Sequence, residues 1–392
     1  MASETIQRPR RRWRRLAARA AMVFAALFAM TLVLVVVTPQ GRTAAKTGGF
    51  IFQVLPVVPV KPLAWFTSGP TRSEVLFPQA LGEGLADVYR PAGDGRHAAV
   101  LLFLGVNPAG RDDERVVNLA EGLARSGMVV MVPWSESMTQ FKIDSAEVDN
   151  LVNAFQYLRD REYVDPERVG MGGFCVGASL AAVAAQDVRI RDNVAFVNFF
   201  GGYYDARDLM VSVASRTRFD EDEQREWEPS GQTVTTFRNH LIDSVESAEE
   251  RDLLTRVFEK GEEPLPGEVD ALSEQADAAY RLMDGTTAEE ARVLLDRLSP
   301  EFQEDLDRMS PSRNVDNLRA RVLIMHDAED NNVPSEESRR LTEALEDRGN
   351  VRHTEFVFFQ HMDPARAVNP LTWTVDTLKL FLHMYNVVRV ST

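Results

Sequence analysis

The chain has 392 residues, of which 44% are hydrophobic and 26% charged. This balance is typical of a globular protein with a sizeable core and argues against a disordered chain or a repeat array. The formal net charge of −15 repels phosphate backbones, which argues against nucleic-acid binding by the folded part. A chain of this length is compatible with one α/β core that carries insertions.

The N-terminal region is strongly basic and then strongly apolar. Residues 1–19 contain seven arginines and one acid, Glu4, and an uncharged stretch follows from Ala20 to Thr38. That stretch has roughly the ~20 residues that a helix needs to cross a bilayer. The positive-inside rule then predicts a cytoplasmic basic N-terminus, a transmembrane signal anchor over 20–38 and an extracytoplasmic catalytic region. The alternative is a cleaved secretory signal, which would release the protein, although Thr43-Ala44-Ala45 is a poor cleavage site.

Residues 39–72 are predicted to form a proline-containing linker. Its apolar run carries Pro56, Pro59 and Pro62, which break helices and argue against a second membrane span. We expect an extended segment that follows either the membrane surface or the catalytic domain.

From residue 73 the pattern becomes an alternation of apolar strands with amphipathic helices. After a predicted edge hairpin, strands are expected at Ala98–Gly105, Met128–Val132, Arg168–Phe174 and Val194–Phe200, with helices between them. The alternation predicts a mostly parallel sheet with helices on both faces, formed by residues 73–204 and 310–392. Between these parts, residues 205–309 are charged and helical, and we interpret them as a cap inserted over the site.

Gly173-Phe174-Cys175-Val176-Gly177 falls where a predicted strand meets a predicted helix. A sharp turn there lifts the central side chain above the sheet, and glycines two residues before and after avoid backbone collisions. The pattern therefore indicates a nucleophile elbow in which the chain's only cysteine, Cys175, is the nucleophile. The alternative is a small buried hydrophobic residue. A single cysteine excludes an intramolecular disulfide.

A nucleophile of this kind requires an acid and a histidine later in the chain. Asp330 follows the predicted strand Arg321–His326 and is the candidate acid, with Asp327 and Glu329 as competitors in the same loop. His361 follows the last predicted strand and is the candidate base. The other five histidines precede or end strands or lie in helices, and His326 is expected to be structural.

An oxyanion site is expected to pair the backbone N–H of Val176 with one from the loop after Ala98–Gly105. Val106 and Asn107 are the candidates there. An ordinary turn is the alternative interpretation of this loop.

Taken together, residues from about Ser73 to Val388 resemble the α/β-hydrolase superfamily, and within it the dienelactone hydrolase group. The resemblance rests on Gly-Phe-Cys-Val-Gly and on the stretch Val322–Pro334, which looks like the acid-bearing segment of many members, although Asp327 stands where they have glycine. It implies hydrolysis of an ester or lactone by a Cys175–His361–Asp330 triad, with no metal or cofactor. The membrane segment and the large cap distinguish this chain from the compact soluble members.

The sequence thus predicts a membrane-anchored hydrolase acting on a small-molecule ester or lactone through an acyl-enzyme. The competing hypothesis is an inactive membrane-tethered module that uses the same scaffold for binding or redox sensing.

Overall fold

The computed structural model describes Trp13, residues 19–24, 26, 27, 30, 33, 35, 37–55, 60–220 and 223–392. The predicted cytoplasmic terminus lies almost entirely outside these residues, as do seven of the nineteen residues of the predicted membrane segment 20–38. Within the part that is described, no helix combines the length and the apolar character needed to cross a bilayer.

An eight-stranded sheet forms the centre of the protein. Its strands are Thr71–Pro78 (β1), Glu83–Arg90 (β2), His97–Phe103 (β3), Met128–Pro133 (β4), Val164–Phe174 (β5), Phe196–Phe200 (β6), Arg321–Asp327 (β9) and Val351–Phe356 (β10). Their spatial order is β1-β2-β4-β3-β5-β6-β9-β10. β2 is antiparallel to both of its neighbours, and the pairs from β4 to β10 are parallel. This is the mostly parallel α/β sheet that the sequence predicts.

Helices cover both faces of the sheet because successive strand residues point to opposite sides. The helices outside the cap region are Pro39–Val54 (α1), Leu63–Phe66 (α2), Glu114–Arg125 (α3), Glu136–Thr139 (α4), Glu147–Arg159 (α5), Val176–Ala184 (α6), Glu336–Ala344 (α13) and Pro370–Val388 (α14). Leu101 and Val197 pack with α5 and α6 in one core. Val100 and Phe196 pack with α1, α3 and α14 in the other.

Residues 205–309 form a separate helical layer between β6 and β9. The layer contains Ala206–Ser215 (α7), Gly231–Ser244 (α8), Ala248–Phe258 (α9), Glu274–Asp284 (α10), Ala288–Leu295 (α11) and Pro300–Arg308 (α12). It also contains a hairpin of Thr217–Asp220 (β7) and Glu223–Glu226 (β8), which the sequence does not predict. A side-chain cap begins each of these six helices; the hydroxyl of Ser230, for example, accepts the backbone N–H of Thr233.

The segment 39–72 differs from the extended linker predicted from its prolines. α1 is a full helix with Pro39 in its first turn, where proline is tolerated, and Thr38 as its cap. Phe50 and Ile51 are buried in the core that α1 shares with α3 and α14. The prolines that suggested an extended chain follow this helix, and Pro56 and Pro59 lie outside the described residues.

Three glycines fix the turn between β5 and α6. A Cβ on Gly177 would lie 2.5 Å from the backbone nitrogen of Gly105 and 2.6 Å from the carbonyl oxygen of Phe103. A Cβ on Gly173 would lie 2.3 Å from the carbonyl oxygen of Gly177. The turn after β5 therefore rests directly on the backbone that follows β3, and side chains at these positions would push the two apart.

We predict that Gly177→Ala lowers the free energy of unfolding by about 1–3 kcal/mol, because the added methyl group meets backbone atoms that cannot rotate away. Urea unfolding monitored by circular dichroism measures the change. Gly231→Ala is the matched control, since a Cβ there has no atom within 4 Å and should alter stability by no more than about 0.5 kcal/mol. Equal effects of the two substitutions would contradict the close packing described here.

Candidate active site

Cys175 occupies the tip of the turn between β5 and α6, as the sequence predicts. Its backbone has φ 54° and ψ −137°, a conformation that non-glycine residues rarely adopt and that is concentrated at functional sites. The N–H of Cys175 donates to the carbonyl of Phe200 at 2.9 Å, which ties the turn to β6. The residue is 9% exposed, and it lines a cavity instead of being sealed within the core.

His361 and Asp330 meet beside this turn. Nδ1 of His361 lies 2.6 Å from Oδ2 of Asp330, and both residues are buried. Gly201, which follows β6 with φ 64°, passes next to the pair, and a Cβ there would lie 3.4 Å from Cε1 of His361. The structure thus brings together the acid and the base that the sequence places in separate loops.

The loop around Asp330 holds the carboxylate in its charged form. Oδ1 accepts the backbone N–H groups of Asn332 at 2.7 Å and Val333 at 3.2 Å. Burial opposes ionisation, but the charge of His361 and hydrogen bonds from His326 and His361 outweigh it and hold the pKa of Asp330 well below its usual range. A carboxylate fixed in this way orients the imidazole and stabilises its protonated form.

The second nitrogen of His361 is placed for proton transfer. Nε2 is buried and has no hydrogen-bond partner among the residues that the structure describes. Burial disfavours a charged imidazole, but the carboxylate of Asp330, followed by interaction with Cys175, outweighs it and raises the pKa of His361 well above its usual value. Cys175 is therefore among the groups that favour the charged imidazole.

Asp327, the first competitor for the acid role, contacts the backbone of His361 and not its imidazole. Its carboxylate accepts the backbone N–H of His361 at 3.0 Å and pairs with Arg366 at 2.7 Å. Asp327 and Arg366 therefore position the loop that carries His361. The sequence does show an acid at the end of a strand, Asp327, and a basic residue five positions after His361, Arg366. It does not show that the two residues form an ion pair. Glu329, the other competitor, lies nearer the surface, 3.8 Å from Arg218.

His326 contacts the acid from below, at the end of β9. Its Nδ1 lies 2.5 Å from the hydroxyl of Ser338, and its Nε2 lies 3.0 Å from the carbonyl of Val333. The same Nε2 is 3.5 Å from Oδ2 of Asp330. These contacts agree with the structural role expected for His326. They hold the acid loop, which is the loop after β9 that carries Asp330, against the sheet.

The two candidates for the second oxyanion donor differ in their contacts. Val106 lines the same cavity as Cys175 and Val176. The backbone N–H of Asn107 donates instead to the carbonyl of Met138 at 3.3 Å, so Asn107 is not free to bind an oxyanion. α6 has no side-chain cap, which leaves the N–H of Val176, in its first turn, to bind a negative charge. The predicted pair is therefore Val176 with Val106.

The inserted layer closes over the cavity next to Cys175, which has a volume of about 70 Å³. Trp227 donates its indole N–H to the carbonyl of Asp330 at 2.9 Å, and the N–H of Ser230 donates to the carbonyl of Asn331 at 2.7 Å. These bonds attach the start of α8 to the acid loop. The cavity is mostly apolar, and its lining includes Ile143, Leu209, Met210, Val213, Phe237 and Val333.

Two polar groups of α8 interrupt this apolar lining. Thr236 and His240, one helical turn apart, both line the cavity. The hydroxyl oxygen of Thr236 and Nε2 of His240 are buried without a hydrogen-bond partner in the described part of the chain. Burial lowers the pKa of His240, so its imidazole is neutral. Buried polar atoms without partners are costly, and their position in the cavity wall points to a ligand that supplies the missing bonds.

The described residues contain no group of three or more histidine, cysteine, aspartate or glutamate side chains placed to hold a metal ion.

Comparisons with known proteins agree with the fold. Residues 89–224 match the model of the dienelactone hydrolase family. A comparison with curated protein sequences gave no significant match. Acylaminoacyl peptidase from Pyrococcus horikoshii is similar in structure, with a TM-score of 0.50 and 14% identity over 84% of this chain and 44% of that one. The hyperthermophilic esterase from Pyrobaculum calidifontis has a TM-score of 0.46 and 15% identity over 90% and 93% of the two chains.

At these identities the likeness to solved structures concerns the fold alone. The chain spans less than half the length of the acylaminoacyl peptidases that it matches, 42% of one and 44% of another.

We predict a pH-dependent contribution of His361 to stability. Its pKa is raised in the folded state, so the stabilisation is fully present below the unfolded value of about 6.5 and is lost as pH rises through the folded pKa. The free energy of unfolding of His361→Asn is compared with that of the parent from pH 6 to pH 9, both in a Cys175→Ser background so that no thiol titrates. The amount by which the parent's free energy of unfolding exceeds that of His361→Asn should decrease as pH rises. An advantage that stays constant would show that the imidazole is not held in its charged form.

Proposed function

We propose that this chain, which has the α/β-hydrolase fold and carries a dienelactone hydrolase family domain over residues 89–224, hydrolyses an ester or lactone with Cys175 as nucleophile. The observation that carries the proposal is the 2.6 Å contact between His361 and Asp330, combined with an unpartnered Nε2 next to a cysteine in a strained turn. A nucleophile that lines a cavity, together with a paired base and acid, is the arrangement that covalent hydrolysis requires.

In the acylation step, the proton of the Cys175 thiol has passed to Nε2 of His361, whose raised pKa favours the imidazolium, and Sγ attacks the carbonyl carbon. The negative charge that develops on the carbonyl oxygen is bound by the N–H groups of Val176 and Val106. The tetrahedral intermediate then collapses, the carbon–oxygen bond to the leaving group breaks, and the departing alkoxide takes the proton from the imidazolium. The product is a thioester on Cys175 and a free alcohol, which in a lactone remains attached to the acyl group.

In the deacylation step, His361 takes a proton from water while the hydroxide attacks the thioester. Collapse of the second intermediate releases the carboxylic acid and returns the proton to the sulfur. The raised pKa of His361 favours the imidazolium that exists between the proton transfers, and the charged Asp330 is its counter-ion.

The cavity supports a small acyl group as the substrate. Its volume of about 70 Å³ is well below the roughly 300–1,000 Å³ of ordinary ligand pockets. The apolar lining suits a short hydrocarbon portion. The unpartnered groups of Thr236 and His240 would satisfy their hydrogen bonds on an oxygen of the substrate, so a short acyl group that carries a hydroxyl or carbonyl fits better than a plain alkyl chain.

The predicted location remains part of the proposal. A single-pass anchor over residues 20–38 would hold the hydrolase at the membrane with the catalytic domain outside the cytoplasm, or release it if the signal were cleaved.

We predict that Cys175→Ala lowers kcat/KM for nitrophenyl esters or lactones by roughly 10³-fold or more, because the nucleophile is lost. Iodoacetamide should modify the single thiol with a one-to-one stoichiometry and abolish turnover in parallel. A spectrophotometric assay with short-chain nitrophenyl esters checks both, with circular dichroism as the control for folding. Turnover that survives the substitution would remove Cys175 from the mechanism, and a folded protein that is inert towards every ester and lactone would favour a binding module.

A second prediction concerns substrate preference. Thr236→Val keeps the shape of the side chain and removes its hydroxyl, so kcat/KM for a hydroxyacyl ester should fall about two- to tenfold, the value of one hydrogen bond. The matching alkyl ester should be unaffected. Thr235→Val is the control, because Thr235 lies on the exposed side of the same helix. A loss of equal size for both esters would show that Thr236 only shapes the cavity wall.

A further inference from the structure

Two segments of the chain are almost free of acidic residues. The protein has 59 aspartates and glutamates, but residues 39–70 and 370–392 together contain only Asp376. Asp376 is buried, 3.0 Å from Lys379, and its carboxylate accepts backbone N–H groups. The same two segments contain five basic residues, namely Arg42, Lys46, Lys61, Lys379 and Arg389. A strongly acidic protein thus presents one region with no exposed acid among its described residues.

The same segments expose large apolar side chains. Trp65 and Phe66 of α2 are 70% and 84% exposed, and Phe52 of α1 is 47% exposed. Along α14 the exposed residues Leu371, Val375, Leu378 and Leu382 recur at helical spacing and form one stripe, and Trp373 in the first turn of the helix is 39% exposed. Soluble proteins rarely leave a set of this size uncovered, and such surfaces mark sites of protein or membrane contact.

The three helices are neighbours in space. α1 packs against α14, α2 and α3, and the hydroxyls of Thr43 and Thr392 are 2.6 Å apart. We call the exposed residues of these neighbouring segments, 39–54, 60–70 and 370–392, the acid-poor face. α1 also continues from the apolar stretch 20–38, whose described side chains Phe24, Val33 and Val37 are exposed.

A cationic cavity lies at the edge of this face, where α1 begins. It has a volume of about 620 Å³, and its lining includes Gln40, Thr43, Arg321 and Arg389. Burial, followed by the charge of Arg389, lowers the pKa of Arg321 to about 10, and no carboxylate side chain pairs with Arg321 in the described part of the chain. Two guanidinium groups beside hydroxyls suit a phosphate group.

We propose that the acid-poor face lies flat on an anionic phospholipid bilayer, so that the catalytic domain itself contacts the membrane. Exposed tryptophans and leucines would insert among the headgroups and upper acyl chains, while basic residues and the cavity with Arg321 and Arg389 would contact lipid phosphates. A second protein or a second copy of the chain is the competing occupant. The absence of exposed acids and the adjacent apolar stretch 20–38 favour lipid.

This placement has a consequence for catalysis that rests on the proposed function. α14 begins nine residues after His361, so the stripe on α14 starts close to the loop that carries the base. Contact of α14 with lipid would place the loop that carries His361 next to the bilayer.

The test uses the full chain bound to vesicles of phosphatidylglycerol and phosphatidylcholine whose acyl chains are brominated. Bromine quenches only tryptophans that reach the bilayer. Tryptophan emission should fall on these vesicles, and most of the loss should disappear in the double variant Trp65→Phe/Trp373→Phe. Quenching should weaken on pure phosphatidylcholine and in high salt, because the electrostatic part is screened.

The matched variants replace exposed apolar residues on and off the acid-poor face. Leu378→Glu/Leu382→Glu should abolish quenching of Trp65 and Trp373, whereas Leu81→Glu/Val188→Glu, which alters side chains 93% and 72% exposed elsewhere, should leave it unchanged. Emission of vesicle-bound protein that is insensitive to bromine would overturn the proposal, as would a dimer that buries Trp65 and Trp373. Turnover of a soluble ester is measured separately, so an inactive protein that is quenched would count against the proposed function alone.

Discussion

The backbone conformation of Cys175 is the constraint on which the site depends. A residue with φ 54° and ψ −137° is held there only if the surroundings leave no alternative. The interlocked glycines supply that condition, because Gly173, Gly177 and Gly105 allow the turn to rest on the loop after β3. The same close approach brings Val106 to the cavity beside Val176. One packing requirement thus fixes the position of the proposed nucleophile and of both expected oxyanion donors.

The acid loop is the second fixed point, and it is shared by the sheet and the inserted layer. His326 and the backbone of Val333 hold Asp330 from the side of the sheet, and Trp227 donates to its carbonyl from the insertion. Asp327 and Arg366 position the backbone of His361. α8 is bonded to this loop and also lines the cavity, so movement of the insertion would shift the position of Asp330. The insertion is therefore bonded directly to the loop that carries the proposed catalytic acid.

The sequence predicted those features that depend on local pattern. Strand and helix periodicity located β3 to β6 and α14, and motif position selected Cys175, Asp330 and His361. Features that depend on contacts between distant segments were missed. Only folding brings Asp327 to Arg366 and buries the polar groups of α8 without partners. The N–H of Asn107 is not available to an oxyanion because it donates to the carbonyl of Met138. Helix α1 was not predicted, because the prolines that follow it suggested an extended chain for the whole of segment 39–72.

The central claim is that the sulfur of Cys175 becomes acylated during turnover. Intact-protein mass spectrometry after rapid acid quenching measures this directly, since a slow ester or lactone leaves the thioester populated. The account predicts one acyl group per chain, mapped by proteolysis to the peptide that contains Cys175 and released by hydroxylamine. An acyl group found on another residue, or turnover by a protein whose thiol has already been fully alkylated, would contradict it.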